Sequence, residues 1–237
     1  EYYEKLYKRN PIKTYFDRYY ACLLNENDQK SIEKLLKQQI EYSRGEAEYS
    51  VMLGQFYEDN QQNDKAEKIY KTLVAELSPN PTAVINLYTA FKAKGKNEWA
   101  FQTITKGRSM LKDAYPLNFQ FAEYYGANKE TKKMVQEYLN LIDFNSGYTE
   151  TVQMLLSRVI DFNNKSSEEY TTLKTELLTR AQKNPSDVQA AEMVTWLFIQ
   201  SRDFPAALVQ EQALDKRLQL NGSRVYDLGI ICVENND

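Results

Sequence analysis

Apolar residues along this chain recur at helical spacing. Between residues 47 and 80, Met52/Phe56 and Leu53/Tyr57 pair four residues apart. After a polar break from Asn60 to Asp64, a second stripe follows with 3.6-residue character: Ala66, Ile69, Tyr70, Leu73, Val74 and Leu77. The stretch predicts two short amphipathic helices. Gly54 leaves room for the two to approach closely, and Ala66 supplies a matching small side chain. Pro79 closes the unit, because the residue before a proline is pushed out of the α region.

The rest of the chain repeats this stretch. Tyr20, Gly54, Tyr88, Ala122 and Leu156 follow one another at 34-residue intervals, as do Ile32, Ala66, Ala100 and Met134. The apolar series Tyr19, Leu53, Leu87, Phe121, Leu155 keeps the same step, and so does Leu23, Tyr57, Phe91, Tyr125, Val159. The register slips once, by five residues within Asn163–Glu169, and resumes with Leu173, Leu177 and Pro185. A long inter-helix turn is expected there, with Leu173 and Leu177 buried. Repeats fall at 13–46, 47–80, 81–114, 115–148, 149–187 and 188–221, with half repeats at 1–12 and 222–237.

Leu53-Gly54, Tyr57, Ala66, Tyr70 and Pro79, recurring in register, resemble the tetratricopeptide (TPR) repeat, a helix–turn–helix unit with a 34-residue period. The resemblance implies an all-α fold, a single α-solenoid over 1–237 in which antiparallel helix pairs form a right-handed superhelix. Residues 1–12 resemble the second half of a repeat. Residues 222–237 resemble a first half, stopping at Asn236-Asp237 where the family has its inter-helix turn. The chain therefore reads as a piece of a longer, bacterial-type array. Self-association through the truncated ends is expected. Gly229 and Val233 would face a missing partner helix, and Leu228 and Cys232 would pack back on the preceding repeat.

Charge and cysteine content add limits. The net charge is −3 with interspersed signs, which argues against non-specific nucleic-acid binding. No run approaches the roughly 18 apolar residues of a membrane span. Cys22 and Cys232 stand six repeats apart, too far for a disulfide in a solenoid whose contacts join neighbours, and both are expected as free, buried thiols. The resemblance fits cytoplasm and bacterial cell envelope equally.

The chain contains no histidine, which removes Ser-His-Asp and Cys-His nucleophile systems and every His-ligated metal site. Neither a G-x-x-x-x-G-K nor a G-x-G-x-x-G motif occurs. Carboxylates are abundant, but at helical spacing they read as solvated faces. No catalytic residue, cofactor or metal is expected. Asn164-Lys165-Ser166 and Asn221-Gly222-Ser223 match the glycosylation sequon, a pattern short enough to arise by chance.

What the resemblance implies instead is a non-catalytic scaffold that binds a protein or peptide in a concave groove lined by the first helix of each repeat. The family's groove positions fall here on Asp17 and Ala21, Val51 and Gln55, Ile85 and Thr89, Phe119 and Glu123, Gln153 and Ser157, Glu192 and Trp196, and Tyr226 and Ile230. Asp17, Ala21, Val51 and Gln55 do not supply the cationic clamp that the chaperone-binding branch uses on a terminal carboxylate; Asn86 matches it only in part. A groove of mixed acidic and aromatic character suits a partner with basic and apolar side chains. Trp196 reads either as an exposed hot spot or as packing against Phe198 or Met193. Two other roles stay open: a self-assembling structural module, and the binding module of a larger enzyme.

Overall fold

The structure is a computed structural model and describes residues 1–234; the turn expected at Asn236-Asp237 lies outside the described residues. The fold is all-α, with no strand among the described residues, and its helices pack in adjacent pairs. Contacts divide the chain into two compact units, residues 1–117 and 118–237.

The first unit holds α1 (Tyr2–Arg9), α2 (Lys13–Glu26), α3 (Gln29–Tyr42), α4 (Ala47–Asp59), α5 (Asn63–Ala75), α6 (Pro81–Ala93) and α7 (Asn97–Leu111). Turns of two or three residues fold α3 back on α2, α5 on α4 and α7 on α6, so each pair is antiparallel. First helices stack on first helices (α4 on α6) and second on second (α5 on α7). The second unit holds α8 (Asn118–Ala127), α9 (Thr131–Phe144), α10 (Thr149–Val159), α11 (Glu168–Lys183), α12 (Val188–Gln200), α13 (Phe204–Leu218) and α14 (Ser223–Glu234). There α9 lies against α8, α10 and α11, while α13 lies between α12 and α14.

The 34-residue step is written into the backbone. Second helices begin at residues 29, 63, 97 and 131. The turns before them place Asn27, Gln61, Gly95 and Lys129 at φ +58, +59, +68 and +60°, all left-handed. Arg202, at φ +52°, takes the same place once the five-residue slip is counted. Several helix starts carry side-chain caps, although α5, α7 and α9 begin without one. Asp28 accepts from the Ser31 N–H (3.0 Å), Asn80 from Thr82 (2.8 Å) ahead of Pro81, Ser167 from Tyr170 (3.1 Å) and Asp187 from Ala190 (3.1 Å).

The core follows the repeat. Ala66 and Ala100 are each 1% exposed, and Tyr70, Phe91 and Ile104 fill the spaces between pairs. Leu173 and Leu177 are buried as expected. The long turn is shifted from its expected place. It spans 160–167, and Glu168 and Glu169 already belong to α11. The reason is that Ile160 and Phe162 fold inward and are buried, while Ser167 caps the next helix. Cys22 and Cys232 are free but half-exposed rather than buried. On α14, Leu228 is buried and Cys232 packs against the core, whereas Tyr226, Ile230 and Val233 are exposed.

Candidate peptide-binding groove

In the first unit α4 is flanked by α3, α5 and α6, so more than half of its circumference is covered. Tyr49, Ser50, Val51, Leu53, Gly54, Phe56 and Tyr57 are all buried. This corrects the expectation for Val51: at 0% exposure it packs in the core and cannot meet a ligand. Gln55 sits on the strip that remains, where its Nε2 donates to Asp59 Oδ1 (2.6 Å). Asp17 and Ala21 are exposed on α2, and Lys13 approaches Asp17 to 4.0 Å.

Between the start of α4 and α6 lies a cleft of about 460 Å³. Ala47, Ala90 and Ala93 line it with short side chains that leave the helix surface accessible, and Glu48, Thr89 and Lys94 bring polar groups. Thr89 lines this cleft and is exposed; Ile85, one turn earlier, is half-buried. Glu48 accepts from Lys13 Nζ (2.6 Å), an ion pair that holds the lysine firmly protonated. The groove positions carried over from the repeat pattern do not include Glu48, Ala93 or Lys94. The alanine pair three residues apart on α6 is their only trace in the sequence.

In the second unit Phe119 is 39% exposed on α8, and Glu123 on the same helix is half-buried. Burial first, and then the Glu123 charge, push the Tyr138 phenol above its usual range. Gln153 crosses from α10 to α12, with Nε2 3.6 Å from Met193 Sδ, and Ser157 Oγ returns to the Gln153 carbonyl (2.8 Å). Trp196 is half-buried with its ring edge-on to Phe162, centroids 5.4 Å apart. Its ring therefore packs on the inward-folded turn, as well as against the buried cluster that includes Met193 and Phe198. Tyr226 is 70% exposed.

Glu192 is committed to an internal network. Arg224 Nη1 donates to Glu192 Oε1 (2.9 Å), and Arg224 Nε to Glu211 Oε2 (2.6 Å). Asp215 accepts the backbone N–H groups of Gly222 (2.6 Å) and Arg224 (3.2 Å). Glu211 and Asp215 are buried, so this network fastens α14 to α12 and α13. Glu211, then Glu192, raise the affinity of the guanidinium for its proton further. Among the described residues no helix is long and apolar enough to cross a membrane.

No family model and no curated protein matches the chain. Among solved structures, the crystal structure of the TPR domain of P58(IPK) aligns with 98% of this chain and 73% of that one, at 13% identity and a TM-score of 0.25. So low a score leaves the fold assignment resting on the helix pairs themselves.

Proposed function

We propose that this chain is a non-catalytic scaffold that receives a peptide or protein segment along the inner faces of its first helices. The cleft between α4 and α6 carries this reading, because its alanine floor lets a ligand backbone approach two helices at once. Polar side chains at its edges, Glu48, Thr89 and Lys94, supply the few directed hydrogen bonds that orient a ligand. In the second unit Phe119 and Tyr226 offer exposed aromatic surface of the kind enriched at binding hot spots.

Peptides selected from a random display library on the whole chain provide the test. Thr89→Arg and Ala93→Arg fill the cleft at exposed positions, and Lys71→Glu changes an exposed position on α5. The cleft variants should weaken selected peptides at least about tenfold, equivalent to ~1.4 kcal/mol, and the α5 variant should leave them unchanged. Equal effects from all three variants would remove the cleft from the proposal.

A further inference from the structure

A second cavity, of about 1010 Å³, opens in the second unit. It lies where the C-terminal halves of the second helices α9 and α11 part. Above it the two helices are laced together. Gln136 Nε2 donates to Glu176 Oε1 (3.2 Å), and Arg180 donates to Asn140 Oδ1 (2.5 Å) and pairs with Asp143. Below, the turn at 145–146 and the start of α12 complete the walls.

The lining groups are half-used in a consistent way. Three asparagines each have the carbonyl oxygen occupied: Asn140 by Arg180, Asn145 by the Gly147 N–H (2.9 Å) and Asn184 by the Ser186 hydroxyl (2.7 Å). Each amide is thereby oriented, and its Nδ2 finds no protein acceptor among the described residues. Three carboxylates mirror them. Asp143 uses Oδ2 on Arg180, Asp187 uses Oδ1 on the Ala190 N–H, and Glu176 uses Oε1 on Gln136, so each keeps a second oxygen as acceptor. Phe144, 44% exposed, adds an aromatic surface to the same cavity.

Fixed donors and fixed acceptors around one ring match a ligand whose neighbouring groups each donate and accept, and whose C–H face is apolar. Sugar hydroxyls do this. An anion would meet Asp143, Glu176 and Asp187; a cation would meet Arg180 and Lys183; an apolar ligand would leave amides and carboxylates unpaired. We propose that this cavity binds a short neutral oligosaccharide, independently of the peptide groove.

The test uses the whole chain and three probes, cellotetraose, maltotetraose and diacetylchitobiose, followed by NMR of the side-chain amides. At least one probe should give saturable shifts of Asn140, Asn145 and Asn184, with Kd on the order of 0.1–5 mM. Phe144→Ala and Asn184→Ala, both at exposed positions, should each weaken it about tenfold or more while the melting temperature holds. About 0.5 M salt should change the affinity less than twofold, because a neutral ligand is not screened. Absence of saturable shifts with all three probes overturns the proposal. So does binding indifferent to both substitutions, or binding abolished by salt.

Discussion

The ring of Tyr70 occupies the space that a side chain on Gly54 would need. A Cβ built on Gly54 falls 2.1 Å from Tyr70 Cε1, and the ring cannot withdraw freely. It is 1% exposed, edge-on to Phe91 (5.3 Å) and 5.7 Å from Trp99. Gly54→Ala should therefore destabilise the first unit by about 1–3 kcal/mol through overpacking, although alanine favours a helix by up to ~1 kcal/mol. Denaturant melts would show it, and a stabilised variant would refute the contact. Tyr70→Phe should be near neutral, because the hydroxyl is buried without a hydrogen-bond partner among the described residues.

Ala66 and Ala100 hold the equivalent place in the second helices and are each 1% exposed. Ala66→Leu or Ala100→Leu should cost about 1–3 kcal/mol. The loss should stay near the substitution, since helix pairs in a tandem array couple to their neighbours. Hydrogen exchange that rises uniformly over both units would contradict this local coupling.

The repeating spacing of small and apolar residues made the helix pairs legible. Second-helix starts at residues 63 and 97 fall where the Ala66 and Ala100 register requires. Other features depend on which surfaces meet and were not legible. Gly107 is one: a Cβ there would lie 2.4 Å from Val84 Cγ1, yet the repeat pattern does not call for glycine at that place. Val51 is another, because its burial depends on α4 being covered on three sides. Phe162 left no periodic signal, since it lies in an irregular turn, and so this partner of Trp196 was missed. The engagement of Glu192 required Arg224, 32 residues away, to fold back onto it.

The left-handed turn position offers a test in the stabilising direction. Gln61 and Lys129 hold positive φ with side chains that disfavour it, whereas Gly95 holds it freely, with nothing within 4 Å of an added Cβ. Gln61→Gly and Lys129→Gly should stabilise by about 0.5–1 kcal/mol, and Gly95→Ala should destabilise by a similar amount. Thermal melts that move the same way for all three would mean that the turns do not hold this conformation.

Acid should weaken the seam between α3 and α4. Glu33 accepts from Lys37 Nζ (2.6 Å) and Tyr57 Oη (2.8 Å). Lys37, then Tyr57, hold its carboxyl below the usual glutamate range. A carboxyl lowered by folding stabilises the protein above its unfolded value, about 4.3, and loses that contribution as pH falls through the folded value. Glu33→Gln should flatten the fall in melting temperature between about pH 5 and pH 3, with parent and variant converging at the acid end. Parallel curves would show that Glu33 contributes nothing to acid sensitivity.

Binding along the inner faces of the first helices is tested most directly by hydrogen exchange on the whole chain with and without a selected peptide. The structure predicts slowed exchange at the start of α4 and along α6 around Thr89 and Ala93, with α5 and α7 unchanged. Protection confined to the second helices, with α4 and α6 exchanging as in the free chain, would contradict the groove as the binding surface.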